Sequence, residues 1–246
     1  MPADPSPLQR GGAGVEDPRD RVVEPVVTAL TGALPGIVAV AVYGSVVTGD
    51  FIEGFSDLDL QVVLPQPLSV EQAIMLQRQM PEPPGVAYIQ PTFSVRDRPV
   101  AHLIPGAFRV EQGELPSGFI ATEETLRRSS TDTLRELPSL IEDDARAWVG
   151  AIGEKRPRHV RLMVTRLKPA VRATLVELGE PVVDVWQTPW DGLVDLWRDH
   201  DGRSSAALAE ILRLLHVRDR DDRACGERVL RLLERIARSD APGTSL

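Results

Sequence analysis

The sequence contains almost no cysteine and no long apolar run. Cys225 is the only cysteine among 246 residues, which excludes an internal disulfide framework and a thiolate cluster for structural zinc. No apolar stretch approaches the about 18 residues that would cross a bilayer. The first residues also lack the basic and hydrophobic segments of a secretion signal. We therefore expect a cytoplasmic protein without a membrane segment.

Basic charge is scarce as well. The 28 lysine and arginine residues are outnumbered by 36 aspartates and glutamates, which gives a net charge of −8. Because binding to nucleic acid depends on clustered basic residues, this balance argues against nucleic acid as the partner and favours a small or cationic one. What the sequence does contain is 42% hydrophobic residues, enough to bury a core.

The patterning changes along the chain in two places. Residues 1–19 are rich in proline and glycine and show no periodicity, so we predict a disordered tail there. Residues 20–118 combine helical and strand patterns, whereas residues 119–246 carry helical patterns alone. The sequence thus predicts an α+β protein, with an N-terminal mixed sheet and flanking helices followed by an all-α helical bundle.

The sheet is predicted from short apolar or alternating segments. Pro91 lies in the third of them and either kinks that strand or places it at a sheet edge. His102 lies in the fourth and is interpreted as a structural strand residue. The predicted strands cover residues 37–43, 57–64, 86–95 and 100–104, and the flanking helices begin near residues 20 and 70.

In the second half, apolar residues recur at spacings of three and four, which is typical of amphipathic helices. Ser139 and Glu142 have the spacing of a capping box, and Thr188 is predicted to cap a helix whose first residue is Pro189. The tryptophans of this half, at positions 148, 186, 190 and 197, are predicted to belong to the bundle core. The helical patterns cover residues 134–152, 159–179 and 189–197, and apolar residues at 208–215 and 229–236 mark two further helices.

Two aspartates and a glycine–serine pair are the strongest candidates for chemistry. Asp57 and Asp59 begin a predicted strand, so both carboxylates point to one face with Cα atoms about 6.6 Å apart. A hard divalent cation is the natural way to relieve their repulsion. Gly44 lets a phosphate approach the backbone, and Ser45 offers a hydroxyl and an N–H at a helix start. The pattern predicts a nucleotide–magnesium site.

The stretch Gly44-Ser45 followed by Ser56-Asp57-Leu58-Asp59-Leu60, after an amphipathic helix and an apolar strand, resembles the nucleotidyltransferase superfamily, which includes aminoglycoside adenylyltransferases and polymerase-β-like enzymes. The resemblance covers about residues 20–110 and implies a nucleotidyltransferase-like domain over residues 20–118. It implies that Asp57 and Asp59 ligate magnesium and carry catalysis, and that Gly44, Ser45 and Ser56 bind the nucleotide.

Members of this superfamily usually present a third carboxylate on the strand after the acidic pair. In this sequence Gln90 lies where that acid is expected. Its carbonyl makes Gln90 a weak candidate metal ligand, but an amide cannot accept a proton at neutral pH. The acids Asp97, Glu111 and Glu114 are near in sequence, yet none lies in an apolar strand context.

The resemblance implies a magnesium-dependent transfer of a nucleoside monophosphate from a nucleoside triphosphate, with ATP as the expected donor, to a hydroxyl of a small-molecule acceptor. Two alternatives stay open. Gln90 in place of an acid favours a catalytically weakened, nucleotide-binding or regulatory relative. The basic stretch at residues 155–161 leaves an RNA-end nucleotidyltransferase as the third hypothesis.

Overall fold

A computed structural model describes residues 20–217 and 219–239, so the tail predicted for residues 1–19 lies outside the described residues. Its sheet has four strands in the order β3-β2-β1-β4, with β2 and β3 parallel and the other neighbours antiparallel. The prediction that Pro91 lies in an edge strand is confirmed, because β3 lies at one edge of the sheet. An edge strand tolerates proline, since it has a neighbouring strand on one side only. The strands are β1 Ala39–Tyr43, β2 Leu58–Leu64, β3 Ile89–Val95 and β4 Phe108–Gly113.

Three helices accompany the sheet: α1 Asp20–Ala33, α2 Ser45–Thr48 and α3 Val70–Gln79. One face of the sheet, which includes Val40, Leu60 and Val62, packs with the apolar stripe of α1 into one buried cluster. The two central strands are apolar at almost every position, because the outer strands and the helices leave little of them in contact with water. This packing fixes the ends of β1 and β2 side by side.

The second half is helical, as predicted. It contains α4 Glu123–Val149, α5 Lys155–Glu177, α6 Val182–Gln187, α7 Trp190–His200, α8 Gly202–Leu215 and α9 Asp222–Ser239. Helix α5 is the most buried of them and contributes Met163, Leu167 and Val171 to the bundle core. The change from strands to helices falls between β4 and α4, whereas the boundary proposed between residues 118 and 119 stays a prediction.

The strand predicted at residues 100–104 is wrong. The structure has there only one isolated bridge, between Leu103 and Ile120, and the fourth strand is β4. Val100 is 71% exposed, and Pro99, Pro105 and Gly106 interrupt the segment. Strand β4 was missed because its sequence is polar, as an exposed edge strand allows.

Two predicted helix starts are also wrong. Ser139 lies inside α4, whose N-cap is Thr122, with its side chain accepting from the Thr125 N–H at 3.2 Å. The first turns of α4 have little apolar periodicity, and ion pairs such as Glu123–Arg127 contribute to them instead. Thr188 ends α6, a short helix that was not predicted, and the N-cap of α7 is Pro189. No helix of the described part of the chain combines the length and apolar character that spanning a bilayer requires.

Candidate active site

The C-terminal end of β1 lies beside the N-terminal end of β2, which brings Gly44 close to the two aspartates. Tyr43 pairs with Asp59 across the two strands, and Gly44 follows directly as the N-cap of α2. Gly44 has φ 75° and ψ −150°, a region that is essentially restricted to glycine. A Cβ at this position would also overlap the Oδ2 atom of Asp59. The glycine is therefore required both by the backbone and by the carboxylate beside it.

Asp57 and Asp59 are close enough to repel each other, as the spacing predicted. Burial, followed by the negative charge of Asp57, raises the pKa of Asp59 to about 6. Burial also raises the pKa of Asp57, and the positive charge of Arg161 offsets part of that effect. The nearest atom pair of Asp57 and Arg161 is 3.7 Å apart, too far for a hydrogen bond. The positive charges of the protein therefore do not fully offset the negative charges of the two carboxylates.

This pair fits a divalent cation. The Oδ1 atom of Asp57 is buried and has no hydrogen-bond partner, which is costly for a charged oxygen unless another ligand binds it. Carboxylate oxygens are the protein ligands that magnesium prefers, and magnesium commonly takes only one or two of them together with substrate phosphates. Within residues 20–217 and 219–239 no group of three or more acidic, histidine or cysteine side chains could hold a metal.

Gln90 lies beside the acidic pair. It is opposite Asp59 in the parallel register of β2 and β3, its side chain is exposed, and it lines the same cleft. Asp97, Glu111 and Glu114 do not line that cleft. The strand alignment that placed Gln90 next to the acids agrees with the structure, while its role as a metal ligand stays a prediction.

The cleft lies between the sheet and the helical bundle. It has a volume of about 420 Å³. One wall is formed by β1, β2, the turn that carries Gly44 and Ser45, and the loop before β2 that carries Ser56. The Ser56 hydroxyl accepts a hydrogen bond from the Ile52 N–H at 2.9 Å. The other wall belongs to α5 and α7. The helical bundle therefore packs against the sheet and supplies one wall of the cleft.

The bundle wall carries three cations from α5. Arg161, Lys168 and Arg172 all line the cleft. Burial lowers the pKa of Lys168 to about 8, the positive charge of Arg172 adds to that effect, and Asp50 opposes it. Burial likewise lowers the pKa of Arg172 to about 10. Lys168 and Arg172 are therefore less stable in their charged forms than free side chains, and an anion in the cleft would stabilise them.

Asp50 joins the two walls. It forms an ion pair with Lys168, and its Oδ1 atom accepts from the Trp190 N–H at 2.8 Å. The ammonium group of Lys168 lies 5.2 Å from the centroid of the Trp190 ring, within the range of a cation–π contact. Arg172 donates to the carbonyl of Thr188 at 3.1 Å, but its Nε atom is buried without a partner.

Sequence reasoning found one wall of this cleft and missed most of the other. Lys168 and Arg172 line the cleft but were not identified from the sequence. Asp50 and His102 line the cleft but gave no motif, and His102 lies outside any strand. Trp186 and Trp197 are buried in the bundle as predicted, whereas Trp190 packs against that core and also faces the cleft. The i, i+4 spacing of Lys168 and Arg172 on one helix was the available signal.

A second cavity, of about 530 Å³, lies between α3 and β3. It is lined mainly by apolar residues, including Leu76, Met80 and Phe93, and contains neither the acidic pair nor the α5 cations. The candidate site is therefore the cleft, where charged groups of both signs converge.

Two comparisons with known proteins found matches to this chain. The family model of the nucleotidyltransferase domain matches residues 27–90, which contain Gly44, both aspartates and Gln90. Among solved structures, the spectinomycin adenyltransferase AAD(9) of Enterococcus faecialis, crystallised with ATP and spectinomycin, has a TM-score of 0.54 and 13% identity. The match covers 86% of this chain and 98% of that one. No curated protein matches the sequence.

The solved structure shows a shared fold across both the sheet and the bundle, and the family model adds the sequence pattern of the sheet region. The nucleotidyltransferase domain model thus matches the part of the chain that carries the glycine turn and the acidic pair, and the fold of the chain is similar to that of the spectinomycin adenyltransferase.

Proposed function

We propose that this protein is a magnesium-dependent nucleotidyltransferase that transfers AMP from ATP to a hydroxyl of a small-molecule acceptor. One observation carries the proposal: Asp57 and Asp59 face Lys168 and Arg172 across a single cleft. An acidic pair alone could be structural. An acidic pair opposite buried cations is the arrangement that a metal–triphosphate complex requires.

Asp57 and Asp59 would hold the metal. Their raised pKa values show that the apo site disfavours two negative charges, and a bound cation reverses that preference. Magnesium held by these carboxylates would supply Lewis-acid stabilisation of the negative charge that develops in the displacement at the α-phosphorus. We assign Gln90 to the edge of this metal site as a weak carbonyl ligand.

The triphosphate would lie between the two walls. Gly44 leaves room for a phosphate against the backbone, and Ser45 at the start of α2 and Ser56 in the loop before β2 offer hydroxyl groups to the same cleft. Lys168 and Arg172 would stabilise the negative charge that develops on the departing pyrophosphate. The unpartnered Nε atom of Arg172 is a donor that a phosphate oxygen would satisfy.

ATP as the donor and a hydroxylated small molecule as the acceptor are supported by the solved neighbour, which binds ATP and spectinomycin. The cleft volume of about 420 Å³ lies within the range of small-molecule sites, about 300–1,000 Å³.

The test is transfer of label from [α-³²P]ATP to a panel of hydroxylated acceptors that includes spectinomycin, with and without magnesium. We expect Asp57→Asn and Asp59→Asn to abolish transfer and magnesium-dependent ATP binding while the fold is retained. Asp199→Asn, an exposed aspartate of α7 that does not line the cleft, is the matched control. Absence of any magnesium-dependent binding of ATP by the wild type would contradict the proposal.

A second candidate function is supported by Gln90, since an amide lies beside Asp59 where an acid would complete the site. In that case the protein binds magnesium and nucleotide to regulate a partner and transfers nothing. The label-transfer assay and calorimetry together distinguish the two functions. A protein that only binds shows magnesium-dependent ATP binding in calorimetry but forms no labelled product with any acceptor.

A further inference from the structure

An acceptor hydroxyl that attacks phosphorus must lose its proton, and few groups in the cleft can take it. Asp57 and Asp59 are assigned to the metal, whose positive charge would lower the basicity of both carboxylates. Asp50 is bound by Lys168 and by the Trp190 N–H. Gln90 cannot accept a proton at neutral pH. The carboxylates and amide of the sheet wall therefore leave the proton without an acceptor.

The other titratable groups that face the cleft carry their protons at neutral pH. Tyr43 contributes from β1, and burial raises the pKa of its phenol. Arg161, Lys168 and Arg172 contribute from α5, and even the lowered pKa of Lys168, about 8, keeps that ammonium group mostly charged at pH 7. All four act as hydrogen-bond donors rather than bases.

His102 differs from all of these groups. It lies between β3 and β4 and lines the same cleft as Asp57, Asp59 and Gln90. Its side chain is exposed, and among the residues that the structure describes it forms no ion pair and no hydrogen bond. Histidine is also the side chain that acts most often as a general base, because it titrates near physiological pH.

We propose that His102 is the general base of the transfer, a role that rests on the proposed function. The acceptor O–H bond breaks and its proton moves to a ring nitrogen of His102. The acceptor oxygen forms a bond to the α-phosphorus, and the bond from that phosphorus to the bridging oxygen breaks. Pyrophosphate leaves with the electron pair, and His102 then releases its proton to the water that reaches its exposed ring.

The test is His102→Gln, which keeps a polar side chain but removes the basic nitrogen. Turnover of [α-³²P]ATP is measured from pH 5.5 to 9 with saturating magnesium, using spectinomycin and, in parallel, water as the acceptor. We expect kcat to fall by about 10²–10⁴-fold, while the magnesium–ATP dissociation constant is unchanged. His216→Gln, an exposed histidine that does not line this cleft, should behave like the wild type.

The pH profile distinguishes a base from a residue that only shapes the cleft. The wild type should lose activity as the pH falls through the range in which histidine titrates, and His102→Gln should lack that limb. Gln90→Glu should restore part of the activity in the His102→Gln background, because it places a proton acceptor next to Asp59.

Three results would overturn the assignment. Wild-type kinetics in His102→Gln would exclude His102 while the proposed function stands. A limb near pH 8 that survives in His102→Gln, together with reduced turnover, would assign the proton to Lys168 instead. If the wild type modifies neither spectinomycin nor water nor any acceptor of the panel, the proposed function fails, and the role of His102 fails with it.

Discussion

At the scale of single residues, Gly44 controls whether the site can form at all. Its backbone conformation excludes other residues, and an added methyl group would overlap Asp59. The sequence allowed this role to be anticipated, since a glycine after an apolar strand and before a serine is a phosphate-binding pattern. The contact with Asp59 could not be anticipated, because it depends on the register of β1 and β2.

We expect Gly44→Ala to lose magnesium-dependent stabilisation by ATP, in addition to about 1–3 kcal/mol of backbone strain. Gly36→Ala is the matched control, because Gly36 has φ 88° but nothing within 4 Å of an added Cβ. Both variants should unfold more easily in denaturant, but only Gly36→Ala should still be stabilised by magnesium and ATP. Equal ligand stabilisation in both variants would contradict the role given to Gly44.

Asp59 predicts a specific pH dependence of the apo protein. Its native pKa of about 6 lies above the ordinary value of 3.8, so between these two values the native state binds more protons than the unfolded state. The free energy of unfolding therefore decreases as the pH rises from about 4 through 6, and the charged carboxylate destabilises the apo protein at pH 7. The upper bound of this effect is roughly 3 kcal/mol.

Asp59→Asn isolates that contribution. We expect the variant without metal to be more stable than the wild type at pH 7 and to lose this advantage by pH 4, as measured by urea unfolding. Saturating magnesium should remove this stability advantage at pH 7, because only the wild type retains the Asp59 carboxylate as a metal ligand. A stability difference that does not change between pH 4 and 7 would show that Asp59 is compensated by a partner in the protein.

At the scale of elements, apolar periodicity predicted the helices and strands that pack an apolar face into the core. It did not predict the elements that are mostly exposed. Helix α1 and strands β1 and β2 have continuous or strongly periodic apolar residues and were predicted within a few positions. Strand β4 and the first turns of α4 were missed, because an exposed edge strand and an ion-paired helix surface bury little apolar area. The positions of Lys168 and Arg172 in the cleft depend on how α5 packs, which no local pattern encodes.

The contact between α4 and α9 yields a test of packing against intrinsic helix propensity. Gly226 lies inside α9, where alanine would favour the helix by about 1 kcal/mol. A Cβ there would overlap the indole ring of Trp148 on α4. We expect Gly226→Ala to destabilise the protein by about 1–3 kcal/mol, because overpacking exceeds the gain in propensity.

Two variants separate the causes in denaturant unfolding. Gly202→Ala, at the start of α8 with nothing within 4 Å of the added Cβ, should be neutral or stabilising. Gly226→Ala in a Trp148→Leu background should lose its penalty, because the smaller side chain leaves room. If Gly226→Ala is destabilising in both backgrounds to the same extent, the indole ring is not the cause.

At the scale of the whole molecule, the sheet and the bundle are joined by a charge pair that stabilises the fold little. The side chains of Lys168 and Asp50 are only 16% and 4% exposed, and burial lowers the pKa of Lys168 to about 8. Because the pKa of Lys168 is lower in the native state than in the unfolded chain, the charged ammonium group destabilises the native state at neutral pH. Buried ion pairs are often replaced by apolar residues without loss of stability.

We therefore expect the double variant Asp50→Asn/Lys168→Met to fold with about the stability of the wild type at pH 7.5 but to bind magnesium–ATP at least about tenfold more weakly, since one charge-assisted contact contributes about 1.5–3 kcal/mol. Asp50→Asn is the comparison, because it leaves the buried ammonium group without its carboxylate and should lower the melting temperature. Thermal unfolding and calorimetric titration measure both effects. A large loss of stability in Asp50→Asn/Lys168→Met, with ATP affinity retained, would make the lysine purely structural.

The separation of Asp50 and Lys168 by 118 positions in the sequence has a consequence for folding kinetics. Contacts between distant parts of a chain form only after the entropy of closing a long loop has been lost, so the cleft is expected to assemble after the folding transition state. A ligand that needs both walls then has nothing to bind while the barrier is crossed. Magnesium–ATP should slow unfolding and leave the refolding rate almost unchanged, so that the bound nucleotide extends the lifetime of the native protein without guiding its formation.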